Sequence, residues 1–156
     1  MLYLIDGNNL AGELEILGEK DFDKKLIGLI EKKNQVQPRR VVLVFDSVDR
    51  MGDKFEDGKI TIIYAPQDDY YQGADNKIIE LAEIYDKEKN NVFVVTNDID
   101  LGEKVKKIND FQNNIKIIKA RDFAKIFDAS NSVDNKIDSE TEAFITEEFL
   151  DLWGGN

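Results

Sequence analysis

The stretch YLIDGNNLAG, residues 3–12, begins with three apolar residues and continues directly into a carboxylate, a glycine and two carboxamides. A short, unbroken apolar run bounded by turn-forming residues predicts a strand that is buried on both faces. Asp6 would then stand where the strand ends, and Gly7 could supply a positive φ for the turn into a helix. One aspartate in this position also fits a helix N-cap, so its role depends on which residues stand at the ends of the other strands.

Four later apolar runs have the same character as the first, and helical periodicities separate them. The clearest helical stripe has apolar residues at i, i+4, i+7 and i+8, from Phe22 to Ile30. Alternating strands and helices predict a three-layer α/β fold with a doubly wound, mainly parallel five-stranded sheet. The predicted strands are Leu2–Ile5, Val41–Phe45, Ile60–Tyr64, Val92–Val95 and Ile115–Ile118, and the other helical stripes are Ile78–Tyr85, Leu101–Ile108 and Phe123–Phe127.

Two local features of this scheme depend on details of the chain. From Ser47 to Lys59 there are 13 residues with two glycines and no helical stripe. A parallel crossover needs a dozen or more residues and often contains a helix, so the direction of the third strand stays open. Asp100 is the predicted N-cap of the helix that comes after the fourth strand.

After Phe127 the sequence becomes polar and acidic. We therefore predict one domain at residues 1–127, an acidic polar linker at 128–145 and a short amphipathic helix at 146–156. The aromatic face of this helix is expected to dock on the domain, with binding of a partner as the alternative. The predicted N-cap is Thr146, and the apolar face contains Phe149, Leu150 and Trp153.

The composition limits the chemistry that this chain can perform. It contains no cysteine and no histidine, which excludes disulfides, thiolate or imidazole metal sites and histidine-dependent nucleophilic catalysis. The net charge is −11, of which residues 128–156 contribute −7 through eight acids and one lysine. This sign argues against broad affinity for phosphate backbones. There is no basic N-terminal region and no apolar run near ~20 residues, so a soluble cytoplasmic protein without a membrane segment is expected.

Acidic residues follow four of the predicted strands. The carboxyl ends of parallel strands meet at one edge of a sheet, where Asp6, Asp46, Asp75, Asp98 and Asp100 are therefore expected together. Crowded carboxylates repel one another, and a divalent cation relieves that repulsion. Oxygen ligands alone favour Mg²⁺ or Mn²⁺ over Zn²⁺, and such an ion can promote phosphodiester hydrolysis. Each acid by itself could instead cap a helix or form a turn.

The motifs IDGNNL, VVLVFDS, GADNKIIELA and VVTNDIDL, in that order, resemble the NYN domains of the PIN-like ribonuclease superfamily, above all the bacterial YacP-like group. The resemblance covers residues 1–127. It implies a metal-dependent endoribonuclease, and some members act on structured or ribosome-bound RNA. The implied site residues are Asp6, Asp75 and Asp98 as metal ligands, Asp100 as an additional ligand, Asn9 as the group that orients the first acid or the phosphate, and Asp46 as an outer support.

The chain departs from the family pattern in two ways. Asn8 stands where an aromatic residue often precedes the asparagine, and the chain is unusually acidic for a protein that acts on RNA. Aromatic side chains beside the acids could stack on unpaired bases. The basic residues expected to contact phosphates at the active edge are Arg50, Lys54, Lys59, Lys77 and Arg121, and the aromatic residues are Tyr70 and Tyr71.

Two other functions fit parts of the pattern. An RNA- or ribosome-binding module of the same fold that does not cleave would account for the acidic charge and for Asn8. A phosphoacceptor receiver domain is also doubly wound, but it needs an acid pair after the first strand, where this chain has one acid. It also needs a lysine after the last strand, a position that Lys119 fits.

Overall fold

The computed structural model describes residues 1–47, 53–66, 73–108 and 114–131, the last six of these as backbone only. Strands and helices alternate through most of this part of the chain, as the apolar runs predict. The elements are β1 (Leu2–Asp6), α1 (Gly7–Glu13), α2 (Phe22–Val36), β2 (Arg40–Ser47), β3 (Lys54–Asp57), β4 (Ile60–Pro66), α3 (Gly73–Lys87), β5 (Val92–Val95), α4 (Ile99–Ile108), β6 (Ile115–Ile118) and α5 (Ala120–Asn131).

The described strands form one sheet in the order β3-β4-β2-β1-β5-β6. All five predicted strands are present and run parallel, so the mainly parallel, doubly wound sheet is confirmed. The direction that the sequence left open is also settled, because β4 pairs with β2 in parallel, with Ile62 opposite Leu43. In this register Asp6 lies opposite Val44 and Ile5 opposite Val95, which aligns the carboxyl ends of the three central strands.

A sixth strand, β3, was not predicted. It pairs antiparallel with β4 at the edge of the sheet and joins it through a turn in which Gly58 has a φ of 60°. All four of its residues are exposed, so its sequence, KFED, shows none of the apolar runs by which the other strands were recognised. The chain thus returns from the end of β2 to the start of β4 partly as a strand.

Residues that alternate along the strands point to two separate cores. Tyr3 and Ile5 pack on one face of the sheet, which α1, α2 and α5 cover, whereas Leu2 and Leu4 pack on the other face, which α3 and α4 cover. Each core is built from strand residues and from the apolar stripes of its helices, such as Leu26 of α2. The predicted three-layer architecture is therefore confirmed for the described residues.

Two predicted boundaries differ from those in the structure. The N-cap of α4 is Asp98, because its Oδ1 accepts a hydrogen bond from the Leu101 N–H at 3.1 Å; the prediction of Asp100 was wrong. Helix α5 continues to Asn131 and so includes residues 128–131, which the sequence assigned to the linker. The rest of that linker and the helix at 146–156 lie outside the described residues and stay predictions.

None of the described helices is long and apolar enough to cross a membrane.

Candidate functional site

Asp6 is the residue around which the carboxyl edge of the sheet is organised. Asp6 is buried, with a fractional exposure of 2%, and its side chain caps α1. Asn9 holds both of its oxygens, with the backbone N–H 3.4 Å from Oδ1 and the side-chain amide 2.7 Å from Oδ2. The Thr96 hydroxyl donates to Oδ2 at 3.2 Å. The carboxylate is therefore fixed from its own helix and from the neighbouring strand.

The segment after β5 reaches Asp6 because β5 lies beside β1. Thr96, which is 2% exposed, accepts a hydrogen bond from the Asp98 N–H at 3.1 Å, so one hydroxyl joins two of the predicted acids. The Asn97 N–H donates to Asn9 Oδ1 at 3.1 Å. Neither Thr96 nor Asn97 was predicted to have a role. The sequence signal for them is a threonine directly after an apolar strand, followed by two polar residues.

Asp46, just beyond the core of β2, positions the helix that carries the third acid. Its Oδ1 accepts a hydrogen bond from the Ala74 N–H at 2.7 Å, in the first turn of α3. Its own N–H donates to Asn8 Oδ1 at 3.0 Å. Asn8, the departure from the family pattern, thus links the start of α1 to the end of β2. Asp75 comes directly after Ala74 and is brought to the same edge.

The four carboxyls of Asp6, Asp46, Asp75 and Asp98 interact through space. Burial raises the pKa of Asp6 to about 7, and the charges of Asp75 and Asp46 add to that effect. Burial also raises the pKa of Asp75 to about 6, assisted by the charges of Asp98 and Asp46 and by a side-chain hydrogen bond with Asp98. Lys104, on α4, acts in the opposite direction on Asp75. At neutral pH this cluster therefore carries repulsion that a cation would relieve.

These residues fit a hard divalent cation in donor chemistry, since they offer oxygen atoms without nitrogen or sulfur. The charges of neighbouring carboxylates raise the pKa of Asp6 and of Asp75, so a bound cation would stabilise the ionised forms of these side chains. As the side chains stand, no group of three or more acidic residues among those described is arranged to hold a metal ion.

Asp100, predicted as an additional ligand, lies in the first turn of α4 and is exposed. Within the described part of the chain, no hydrogen bond joins it to the four acids of the cluster. Asp98 occupies the capping position instead, since its Oδ1 faces the helix N–H groups.

The predicted basic residues are distributed over several places. Arg121 is exposed at the start of α5, and its N–H donates to Asn97 Oδ1 at 3.1 Å, which places it at the acidic edge. Lys54 and Lys77 line one groove between β3, β4 and α3. Lys59 lies at the opposite edge, because its carbonyl accepts from the Val41 N–H at 2.9 Å where β2 and β4 begin; its placement at the active edge was wrong. Arg50, Tyr70 and Tyr71 lie outside the described residues.

Gly7 does not have the positive φ that the sequence suggested, since the described glycines with a positive φ are Gly58 and Gly73. It is needed for space instead. A Cβ added at Gly7 would lie 2.5 Å from Phe45 Cε1, closer than any side chain tolerates. The bare backbone lets the first turn of α1 lie directly against the ring, immediately after Asp6.

A doubly wound sheet with interacting aspartates at its carboxyl edge is the arrangement expected of a PIN-like domain. The chain belongs to the family described as YacP-like NYN domain, whose model matches residues 3–151. The structure resembles the crystal structure of a mutant of Rae1 (YacP) from Bacillus subtilis, with 19% sequence identity, 99% of this chain and 94% of that chain covered, and a TM-score of 0.61. Comparison with curated proteins gave no match.

Proposed function

We propose that this protein is a metal-dependent endoribonuclease that hydrolyses RNA phosphodiester bonds at the cluster of Asp6, Asp46, Asp75 and Asp98. The observation that carries the proposal is their convergence. Four carboxyls from separate segments lie within electrostatic reach of one another at the edge where a parallel sheet binds its ligands. Membership of the NYN family, within the PIN-like nuclease superfamily, supports the reaction class.

Each of the predicted site residues has a proposed role. Asp6, Asp75 and Asp98 would hold Mg²⁺ or Mn²⁺, with Asp100 as an additional ligand in the first turn of α4. When bound, the ion supplies charge neutralisation, a lowered pKa for water and stabilisation of the charge that develops on the phosphate. Asn9 keeps the Asp6 carboxylate in one orientation, and Asp46 keeps the start of α3 against the end of β2. Arg50, Lys54, Lys77 and Arg121 are the proposed contacts to RNA phosphates.

Substitution of Asp6 tests the proposal. Asp6→Asn keeps the size of the side chain and one oxygen, which can accept one of the two Asn9 hydrogen bonds, and it removes the charge on which the metal site depends. We expect cleavage of a single-stranded RNA with Mg²⁺ or Mn²⁺ to fall at least ~100-fold, since the ion contributes several kcal/mol to the transition state. Asp57→Asn, an exposed acid of β3 at the opposite edge, is the matched control and should cleave normally.

Contaminating nuclease is excluded by purifying the wild-type and variant proteins side by side and by requiring that EDTA stops the reaction. Circular dichroism and melting curves confirm that each variant is folded. If Asp6→Asn cleaves at the wild-type rate, the proposed site is wrong.

The second candidate is a module of the same fold that binds RNA or ribosomes without cleaving. The scarcity of basic residues and the presence of Asn8 motivate it, since both depart from the pattern of the family's enzymes. RNA retained in a binding assay without turnover in either cation would establish this function. Cosedimentation with ribosomes tests the ribosome as a partner, and a cytoplasmic location stays a prediction.

A further inference from the structure

Asn97, in the segment between β5 and α4, joins two other elements of the fold through its side chain. Its Nδ2 donates to Glu13 Oε1, at the end of α1, at 2.5 Å. Its Oδ1 accepts the Arg121 N–H, at the start of α5, at 3.1 Å. The residue is half-buried. Because the nitrogen and the oxygen of one amide each have a partner, the side chain is held in a single orientation.

The contact with Arg121 completes the N-terminus of α5. The first N–H groups of a helix have no partner within the helix and need an acceptor from outside it. Lys119 precedes α5, and its carbonyl accepts the Phe123 N–H at 3.0 Å. The side chain of Lys119 can only donate hydrogen bonds, so it cannot cap the helix. Asn97 supplies the acceptor from another segment, with a side chain that is among the best helix caps.

The backbone of Asn97 connects the same residue to the acidic edge. Its N–H donates to Asn9 Oδ1 at 3.1 Å, and the Asn9 amide donates in turn to Asp6 Oδ2 at 2.7 Å. Asn9 and Glu13 are four residues apart in α1, so they share the face of the helix that contacts Asn97. Asn97 therefore sets the position of the start of α5 relative to Asp6.

The acids themselves do not depend on the Asn97 side chain. The Asp98 N–H donates to the Thr96 hydroxyl, and Asp98 Oδ1 accepts the Leu101 N–H. Asn9 is contacted by the backbone N–H of Asn97, which alanine would also supply. Removal of the side chain at position 97 should thus affect α5 and leave the hydrogen bonds of the acids in place.

We propose that Asn97 is a positioning residue, which holds Arg121 at the acidic edge so that the guanidinium binds an RNA phosphate beside the bond that is cleaved. The inference rests on the proposed nuclease function and adds to it a residue outside the cluster of acids. Arg121 is exposed and so accessible to RNA. A guanidinium binds a phosphate through two parallel hydrogen bonds, so its contribution depends on how it is oriented.

A double-mutant cycle tests whether Asn97 acts through Arg121. Asn97→Ala, Arg121→Ala and the double variant are compared with wild type by the anisotropy of a short fluorescent RNA in EDTA, where no cation-dependent cleavage occurs. Asn90→Ala is the control for loss of an amide, since its Nδ2 donates to Glu88 on the surface, just before β5 begins. Lys106→Ala, exposed in the second half of α4, is the control for loss of a positive charge.

We expect the dissociation constant to rise about 5-fold in Arg121→Ala and about 3-fold in Asn97→Ala, the range for an exposed ion pair. Without the guanidinium Asn97 has nothing to position, so the double variant should lose about 5-fold and not the ~15-fold of two independent residues. Both controls should stay within about 2-fold of wild type. In cleavage assays with Mn²⁺, Asn97→Ala should raise the KM while kcat changes little.

Each variant is measured below its melting temperature, and Asn97→Ser replaces Asn97→Ala in the cycle if the alanine variant does not fold. A purely structural role for Asn97 would lower the melting temperature without coupling to Arg121 in binding.

Four outcomes overturn the inference: single losses that multiply in the double variant, an Asn97→Ala variant that binds like Asn90→Ala, a fall in kcat at unchanged KM, or no binding of RNA by the wild-type protein. RNA that is bound with this coupling but never cleaved would support the role of Asn97 and refute the nuclease. Cleavage that needs Asp6, with independent effects of Asn97 and Arg121, would support the nuclease and refute the inference.

Discussion

The buried carboxyl of Asp6 makes the stability of this protein depend on pH. Burial raises the pKa of Asp6 from 3.8 to about 7, and the charges of Asp75 and Asp46 act in the same direction. The hydrogen bonds from Asn9 and Thr96 oppose this rise without cancelling it. Because the folded state binds the proton more tightly than the unfolded state, this contribution to stability is fully present below about pH 4 and is lost as the pH rises through about 7.

We therefore predict that Asp6→Asn, which cannot ionise, gains stability relative to wild type as the pH is raised from about 5.5 to about 8.5 in EDTA. At ~1.4 kcal/mol per pH unit below the folded pKa, the relative gain should be roughly 2 kcal/mol. Urea denaturation at both pH values measures this gain. Both pH values lie above the pI of about 4.5, at which the protein has no net charge. Asp57→Asn should show no such gain, and a difference between Asp6→Asn and wild type that does not change with pH would contradict the prediction.

At the level of single residues, the sequence located the acids and, through the family resemblance, Asn9 as the group that orients Asp6, but not the other groups that position them. Asp6, Asp46, Asp75 and Asp98 could be predicted because each follows or flanks a recognisable strand or helix. Apart from Asn9, which is three residues from Asp6, the partners Asn8, Thr96 and Asn97 could not be predicted, since their hydrogen bonds join residues that are 38 to 90 positions apart. Only the sheet order brings Asn8 to Asp46 and Thr96 to Asp6. The sequence presented helix capping and membership of the acidic cluster as alternatives for Asp6. In the structure Asp6 does both.

At the level of elements, the junction of β1 and α1 depends on a close contact with β2. The Phe45 ring is 1% exposed and stacks on Tyr64 with centroids 5.6 Å apart. The Tyr64 hydroxyl donates to Asp23 Oδ2 of α2 at 2.7 Å, which holds the pair of rings in place. Since the ring cannot move away easily, Gly7 must leave room for it. The direction of α1, and with it the position of Asn9, is set by that packing.

We predict that Gly7→Ala destabilises the protein by ~1–3 kcal/mol, the usual cost of adding a methyl group to a packed core. Gly28→Ala is the control, because a Cβ at this position of α2 meets nothing within 4 Å. It should stabilise the protein by ~0.5–1 kcal/mol through helix propensity. Thermal and urea denaturation measure both. Partial recovery of stability in Gly7→Ala/Phe45→Leu would locate the clash, whereas a neutral Gly7→Ala would show that the ring yields to the added methyl group.

The elements that were predicted and the one that was missed differ in a physical way. Strands β1, β2, β4, β5 and β6 are covered by helices, so burial forces an apolar sequence on them. The edge strand β3 is exposed at all four residues and is held by pairing with β4, which no residue pattern reveals. The same strand explains how a short crossover can still produce a parallel β4. It also places Lys54 at the groove between β3, β4 and α3.

At the level of the whole molecule, the acidic charge and the proposed cation are connected. With a net charge of −11, any added cation screens repulsion across the surface and raises stability somewhat. An ion bound at the acidic edge acts differently, because it binds the folded state and not the unfolded one. The two effects can be separated by keeping the ionic strength constant with NaCl and by comparing variants whose net charge is the same.

We predict that Mn²⁺ or Mg²⁺ raises the melting temperature of the wild-type protein by about 5–10 °C at roughly 100 times the dissociation constant, where binding contributes ~2.7 kcal/mol. Asp6→Asn should lose most of this rise, because it removes the most buried of the proposed ligands. Asp57→Asn, with the same net charge, should keep it. Differential scanning fluorimetry at matched ionic strength measures all three proteins. An equal rise in both variants would show that the ion acts on the overall charge and not at the acidic edge.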